Sequence, residues 1–335
     1  MQIGLITLHD LQSPSKIGGG LFYRRQLLRI LEEHHEVRVY RIPTIPRDTL
    51  PGKIIEKIAL NRALQRIAGV SDLWIRDFRE LRFIGPFRTR GHNMAIVHHI
   101  DSSSLPNRLY NAAFDRIGLK RLRAMDAVVA VSNFWRDYLA PYCSGPIHVI
   151  QPSVDTSLFR EPDPSELADF KLKHGLGDLP IVYIGNNQAA KGAPLVYEAL
   201  KDEGYQLVTS GPPQTRLQCL NLNLSYADYI RLLWVSDVAV LLSQFREGWC
   251  ISAQEAMLCR NPVIGSGLGG MRELLEGGNQ LVCRDPGRLP KLVRDLLEDR
   301  DMADAIGSSG RSFAMQFDLD RFETRWIRTL NTFSN

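Results

Sequence analysis

The chain has 335 residues, of which 44% are hydrophobic and 23% are charged. These values are ordinary for a soluble globular protein, and the length predicts about two domains. No run of roughly 18 or more apolar residues is present, so we expect no membrane span, and the short apolar N-terminus lacks the basic lead and cleavage site of a signal peptide. Five cysteines without a Cys-x-x-Cys pair predict a cytoplasmic protein with neither disulfides nor structural zinc.

Charge is unevenly distributed between the two halves. Residues 1–150 contain 22 Lys and Arg against 13 Asp and Glu, whereas residues 151–335 contain 19 against 24. Two interpretations are open: ordinary solvated surface charge, or a basic N-terminal half that binds an anionic acceptor or the inner face of a membrane as a peripheral protein. The basic amphipathic segment Lys53–Ala68 is typical of a membrane-surface helix or, more commonly, of a helix packed on a sheet.

Short apolar runs alternate with helical periodicity along the first half. The predicted strands are Met1–Leu8, Val37–Tyr40, Ala95–His98 and Ala127–Val131, and a helix is predicted over Leu21–Leu31. Continuous apolar runs without a polar alternation are typical of strands buried on both faces. The sequence therefore predicts β-α-β units and a parallel sheet.

The same alternation restarts after Asp155. The predicted strands are Pro180–Ile184, Gln206–Ser210, Val238–Leu242 and Pro262–Gly265, and the predicted helices are Ala193–Leu200, Tyr226–Leu233, Ser252–Leu258 and one from Met271. Two rounds of alternating strands and helices predict two doubly wound domains, with the Pro- and acid-rich segment Glu161–Pro164 as the hinge. We expect an N-terminal domain over 1–160, a C-terminal domain over 161–318 and a final helix within 319–335.

Two carboxylates, Glu247 and Glu255, bracket a predicted strand-to-helix turn. Ligands of open α/β sheets bind outside the carboxyl ends of strands, where helix N-termini offer amides to phosphates. A carboxylate at this place does not favour phosphate, so we expect it to accept hydrogen bonds from sugar hydroxyls. The alternative is that both are helix-start acids stabilised by the helix dipole, which suits Glu247 better than Glu255.

The Glu-x7-Glu spacing resembles that of retaining GT-B glycosyltransferases, closest to family GT4. Other segments that resemble this family are Val128–Ser132, His148–Asp155 with Phe159, Tyr183–Gly185 with Lys191-Gly192, Ser210–Pro212, and Pro262–Ile264 with Gly269-Gly270 and Glu273. The resemblance covers nearly all of the second half and is looser in the first. It implies the GT-B fold, in which two Rossmann-like domains face each other across a cleft that holds the active site. It also implies that the last helix, roughly Arg321–Thr332, returns to the N-terminal domain.

The resemblance implies roles for individual residues of the second half. Glu255 would bind the ribose hydroxyls of the donor nucleotide, and Glu247 would contact hydroxyls of the transferred sugar. Lys191 would neutralise the diphosphate as it leaves. The further donor ligands implied are Gly185, Asn186, Gly211, and the backbone of Trp249, Cys250 and Ile251. The family needs neither a metal nor a cofactor, only a co-substrate such as a UDP- or GDP-sugar.

Three positions depart from the family pattern. Asn186 stands where Arg is usual, and a neutral amide does not replace a bidentate phosphate clamp, so another cation such as Arg246 would have to substitute. Cys250 stands where Gly is preferred and would narrow the sugar pocket or shift its preference. No neighbouring base suggests that the Cys250 thiol is a nucleophile. Arg260 replaces a helix-ending glycine at a modest local cost.

Two elements of the first half are candidates for the acceptor or phosphate loop. Gly18, Gly19 and Gly20 would let a ligand approach the backbone, although a plain turn is the alternative. His98 lies at the end of a predicted strand, and the resemblance places a histidine of this position near the donor sugar, so His98 is the catalytic candidate and Asp101 the next. The spacings of NAD sites and of His-x-x-His zinc sites are absent, so neither ligand is predicted.

We therefore predict a metal-independent, hexosyltransferase-like enzyme of polysaccharide or glycolipid biosynthesis. It would transfer a sugar from a nucleotide sugar to a saccharide, a lipid-linked saccharide or a small molecule with retention of configuration, and nucleic acid is not an expected partner. Because no carboxylate is placed as a nucleophile, front-face attack fits better than a two-carboxylate glycosidase scheme. Two other functions stay open: a nucleotide-sugar epimerase, and a non-catalytic sugar-nucleotide-binding protein of the same fold.

Overall fold

The computed structural model describes residues 1–7, 11, 18–41, 62, 70–82, 85, 91–100 and 108–334. Asp101 and, apart from Arg62, the predicted helix over 53–68 lie outside the described residues. The chain forms two compact units, Met1–Pro152 with Asp320–Asn335, and Ser153–Leu319. Within the described ranges, no helix combines the length and the apolar character that crossing a bilayer requires.

The first unit is built on a six-stranded parallel sheet. Its strands are β1 (Gln2–Thr7), β2 (Glu36–Arg41), β3 (Leu73–Asp77), β4 (His92–Val97), β5 (Ala127–Ala130) and β6 (Ile147–Val149), and its helices include α1 (Gly19–His34), α2 (Phe78–Leu81), α3 (Arg108–Leu122) and α4 (Asn133–Leu139). The strand order is β2-β1-β3-β4-β5-β6. The order reverses between β1 and β3, so the carboxyl ends of these two strands flank the crevice where ligands of such sheets bind.

The second unit repeats this architecture. Its strands are β7 (Ile181–Asn186), β8 (Gln206–Ser210), β9 (Leu220–Leu222), β10 (Val238–Leu241), β11 (Val263–Gly265) and β12 (Leu281–Val282). Its helices include α5 (Pro164–Lys173), α6 (Ala193–Leu200), α7 (Tyr226–Val235), α8 (Ile251–Leu258), α9 (Met271–Gly277), α10 (Leu289–Glu298) and α11 (Arg300–Ala314). The strand order is β12-β11-β10-β7-β8-β9, so the switch point lies between β7 and β10.

The last helix, α12 (Leu319–Asn331), completes the core of the first unit. Phe322 and Trp326 are 2% and 0% exposed, and both rings contact Tyr23 edge-on, at centroid distances of 4.9 and 6.2 Å. Tyr23 in turn donates a hydrogen bond to the carbonyl of Ile150 at 3.1 Å. The segment that ends the chain thus packs with helix α1, which follows the first strand.

The predicted fold class is confirmed: each unit is a parallel sheet, and the apolar runs of the sequence form its buried strands. One central strand, β3, is missing from the sequence prediction. The apolar run of this strand is cut short by Arg76 and Asp77, and charged residues are rare inside a sheet. Arg76 is nevertheless fully buried, because its guanidinium donates to Gly85 O and to Asn93 Oδ1, both at 2.8 Å.

Candidate active site

A glycine holds the turn after β7 against the end of β10. Gly192 has φ +81°, and a Cβ on it would lie 2.1 Å from the carbonyl oxygen of Leu242. Any other residue would clash with this backbone and would be strained in the left-handed conformation. The amide of Gln244 also donates to the carbonyl of Ala190 at 2.9 Å. These contacts place Lys191 at the switch point between β7 and β10.

Lys191 and Glu247 form an ion pair at this point. Lys191 Nζ donates to Glu247 Oε1 at 2.6 Å, and the Ser243 hydroxyl donates to the same oxygen at 2.5 Å. The Glu247 side chain is 8% exposed and the Lys191 side chain 32%. Burial alone would lower the pKa of Lys191, but the charge of Glu247 raises it above its usual value. Lys191 is therefore a cation at neutral pH.

The backbone of Glu247 is fixed by the loop before α9. Its amide donates to Leu268 O at 3.1 Å, and its carbonyl accepts from the amide of Gly270 at 2.9 Å. Gly269 has φ +70°, and a Cβ on it would lie 2.4 Å from the Glu247 carbonyl oxygen. The Gly269-Gly270 pair noted in the sequence thus sets the position of Glu247.

Cys250 begins α8 in an unusual conformation. It has φ 79° and ψ 73°, the left-handed region that favours glycine, and its side chain caps no amide of the helix. The first amides of a helix have no intrahelical acceptor, so the amides at this end remain suited to an anion. Burial, and then the charge of Glu247, raise the pKa of the Cys250 thiol to about 12. A thiol that stays protonated at neutral pH is a poor nucleophile.

The Trp249 side chain belongs to the core of the second unit. It is 2% exposed, its Nε1 donates to Gln254 Oε1 at 3.0 Å, and its ring contacts Phe317 edge-on at 4.7 Å. Gln254 Nε2 in turn donates to the carbonyl of Phe317 at 3.3 Å. The Trp249 side chain is therefore occupied by contacts within the core.

Glu255 is buried in the middle of α8 and is held by two tyrosines. Tyr226 donates its hydroxyl to Oε1 at 2.8 Å, and Tyr229 donates to Oε2 at 3.2 Å. Burial raises the pKa of Glu255 to about 7, although both hydrogen bonds act in the opposite direction. The sequence interpretation missed the tyrosines. Their spacing of three within a predicted helix was a usable signal, because such residues share one helix face.

The turns after β7 and β8 are joined by an asparagine that the sequence interpretation also missed. Asn187 is 3% exposed, its amide donates to Ser210 O at 3.2 Å, and its Oδ1 accepts from the amide of Thr215 at 2.9 Å. A Cβ on Gly211 would lie 3.3 Å from Asn186 Nδ2. Asn186 and Gly211 are therefore neighbours, whereas Arg246 lies on the exposed side of its segment.

In the first unit, the structure brings His98 and the glycine turn together. A Cβ on Gly20 would lie 3.5 Å from the His98 ring, and Tyr23 contacts that ring edge-on at 4.9 Å. His98 Nε2 lies 3.4 Å from Asp77 Oδ2. Burial lowers the pKa of His98 to about 4 against the opposing effect of Asp77, so the imidazole is neutral near pH 7. Gly18 is the N-cap of α1, and Gly19 is its first residue.

A buried charge cluster surrounds Asp77. Arg24 Nη1 lies 2.9 Å from Glu80 Oε1 and 3.9 Å from Asp77 Oδ2, and the side chains of Arg24 and Glu80 are 2% and 1% exposed. The Glu80 carboxylate also accepts the amide of Asp77 at 2.5 Å. These charges lie at the carboxyl end of β3, and the sequence interpretation found none of them because it did not find the strand.

Comparison with known proteins identifies relatives across most of the chain. Residues 164–313 match the family described as "Glycosyl transferases group 1". The GDP-mannose-dependent alpha-(1-6)-phosphatidylinositol monomannoside mannosyltransferase of Mycolicibacterium smegmatis is 27% identical over 333 residues, which span 87% of this chain and 82% of the relative.

Two solved structures are similar over nearly the whole chain. Sucrose-phosphate synthase from Thermosynechococcus elongatus has a TM-score of 0.78 at 19% identity, with 99% of this chain and 98% of that chain covered. HepE from Anabaena in complex with UDP-glucose has a TM-score of 0.73 at 18% identity, with 99% and 100% covered. At these identities the similarity establishes the fold, which is GT-B.

Proposed function

We propose that the second unit of this nucleotide-sugar-dependent glycosyltransferase, whose residues 164–313 match the group 1 glycosyl transferases, binds the donor through Lys191, Glu247 and Glu255. The observation that carries this proposal is the Lys191–Glu247 pair. The pair lies at the switch point of the sheet, and Glu247 belongs to the segment that leads into the N-terminal turn of α8.

The pair suits the breaking of a sugar–phosphate bond. Lys191 would offset the negative charge that develops on the diphosphate, and the amides of Cys250 and Ile251 would bind its oxygens. Because Asn186 is neutral, Lys191 and the N-terminal amides of α8 would be the groups that offset the charge of the diphosphate. Glu247, held beside the lysine, would accept hydrogen bonds from hydroxyls of the transferred sugar.

Retention of configuration fits the state of Glu247. One of its oxygens already accepts hydrogen bonds from Lys191 and Ser243, which makes the carboxylate a weak nucleophile. Front-face attack avoids a covalent glycosyl-enzyme: the acceptor hydroxyl bonds to the anomeric carbon as the phosphate leaves, and a phosphate oxygen takes its proton. The nucleoside diphosphate is then the leaving group, and neither a metal nor another cofactor is needed.

We assign the acceptor side to the first unit, with the loop Gly18–Gly20 as the candidate ligand, and we keep His98 as a candidate catalytic residue. The relative from M. smegmatis uses GDP-mannose and a phosphatidylinositol mannoside, so we propose a GDP-hexose donor of the mannose type and a glycolipid acceptor. The excess of Lys and Arg in residues 1–150 would attract an anionic headgroup, and with it the face of a membrane that displays such lipids.

A thermal-shift panel of nucleotide sugars tests the donor assignment. A ligand at 100 times its Kd stabilises the folded state by about 2.7 kcal/mol, so GDP-mannose should raise Tm more than UDP-glucose does. Transfer of labelled mannose to phosphatidylinositol mannosides, with free saccharides in parallel, then tests the acceptor. A Glu255→Ala variant that keeps the full thermal shift contradicts the donor site.

A further inference from the structure

The two tyrosines that face Glu255 come from one helix. Tyr226 and Tyr229 lie three positions apart at the start of α7, and their rings are nearly parallel, with centroids 6.2 Å apart and an interplanar angle of 26°. Each hydroxyl donates to a different carboxylate oxygen. The pair therefore fixes both the position and the rotation of the carboxylate, which a single hydrogen bond would not do.

Among the residues that the structure describes, the surroundings of Glu255 contain polar groups but no close counter-charge. Tyr183 of β7 lies behind Tyr229, at a ring distance of 6.0 Å, and its hydroxyl is 2.8 Å from Ser210 Oγ. The other titratable groups that interact with this site are the thiols of Cys250 and Cys259, from the helix that carries Glu255, and the carboxylate of Asp155, which faces Tyr226. Among these groups the tyrosine hydroxyls are the donors that compensate the buried carboxylate.

Each carboxylate oxygen has two lone pairs, and here one of them on each oxygen is already used by a phenol. One acceptor position per oxygen remains. A vicinal diol presents two hydroxyl donors side by side, which matches two remaining positions on the two oxygens. A ligand with a single hydroxyl would leave one of these positions empty.

We propose that Tyr226 and Tyr229 are positioning residues that orient the Glu255 carboxylate toward the ribose diol of the donor nucleotide, so that each oxygen accepts one phenol and one ribose hydroxyl. This inference rests on the proposed role of Glu255 in donor binding. It adds a consequence that this role alone does not have: discrimination between ribose and 2′-deoxyribose depends on the tyrosines.

The test measures the affinity of the full-length protein for GDP, UDP and their 2′-deoxy forms by calorimetry. Wild-type protein should bind the ribonucleotide about tenfold more tightly than the deoxy form, which corresponds to one hydrogen bond. In Tyr226→Phe and Tyr229→Phe this ratio should fall to about twofold or threefold. Tyr197→Phe, a half-buried tyrosine on α6, is the matched control and should keep the wild-type ratio.

The outcomes separate this inference from the proposed function. If Glu255→Gln removes the discrimination but both phenylalanine variants keep it, the tyrosines do not position the carboxylate. If the phenylalanine variants weaken both nucleotide forms equally, their role is structural and the inference is wrong. If Glu255→Gln itself keeps the wild-type ratio, or no nucleotide binds, the donor assignment fails. If Tyr229→Phe lowers Tm strongly, the affinity ratio of Tyr226→Phe alone decides whether the inference holds.

Discussion

Lys191 donates a 2.6 Å hydrogen bond to Glu247 across 56 positions of sequence. The bond joins the turn after β7 to the segment after β10, so the two strands at the switch point each supply one member of a charged pair. A cation and an anion held in this way can serve different parts of one donor, the diphosphate and the sugar.

Replacing Lys191 by Ala should lower kcat/KM by about 10²–10³, because the leaving diphosphate loses its cation. Steady-state kinetics with the donor varied measure the effect. Lys201→Ala is the control, since Lys201 forms a similar 2.7 Å pair with Glu198 on the surface. Equal losses in the two variants would contradict a role for Lys191 in the reaction.

Glu255→Gln should change the pH dependence of stability. The folded-state pKa of about 7 lies above the ordinary value of 4.5, so between these values the folded protein binds more protons than the unfolded chain. Glu255 therefore makes stability fall as pH rises from about 4.5 to about 7. The variant should gain about 2.5 kcal/mol relative to wild type on going from pH 5 to pH 8.5, measured by urea denaturation. The exposed Glu298→Gln should show no such gain.

Gly192→Ala should abolish donor binding while Gly204→Ala does not. Both glycines are left-handed, with φ +81° and +77°, so both alanines carry the same backbone strain of about 1 kcal/mol. A Cβ at position 192 also meets the Leu242 carbonyl at 2.1 Å, whereas nothing lies within 4 Å of a Cβ at position 204. Comparing nucleotide affinity and Tm between the two variants separates the effect of the clash with Leu242 from that of the backbone strain. Similar affinities would show that the Gly192 contact does not set the place of Lys191.

Two replacements at Cys250 separate its backbone from its thiol. Cys250→Gly should be more stable than Cys250→Ala by about 1 kcal/mol, because alanine keeps the strained left-handed conformation and glycine relieves it. Activity of Cys250→Ala should stay within about threefold of wild type, since a thiol with a pKa near 12 supplies no nucleophile. Complete loss of activity in a folded Cys250→Ala would contradict this interpretation.

The sequence predicted the parts of the fold that rest on local patterns. Apolar runs identified most central strands, and the glycines near Lys191 and Glu247 marked turns that the structure shows to be tightly constrained. What the patterns missed depends on tertiary partners. Strand β3 contains Arg76, which is buried only because Asn93 and Gly85 accept its hydrogen bonds, and those acceptors come from separate segments of the chain.

The same limit applies to the candidate site. Glu255 was singled out by its spacing from Glu247, but no spacing within α8 indicates that the carboxylate is held by residues of α7. The Arg24–Glu80 pair is 56 positions apart and likewise follows from the meeting of α1 with the end of β3. Charges paired over long sequence distances become visible only when the sheet order is known.

The packing of Phe322 and Trp326 against Tyr23 has a consequence for synthesis on the ribosome. Residues 1–152 emerge before residue 320, so their core lacks these rings until Phe322 and Trp326 have been translated. Residues 153–319 are contiguous and need no later segment. The second unit is therefore free to fold first, and the N-terminal part must wait, exposed to chaperones and proteases, until residues 320–334 have been made.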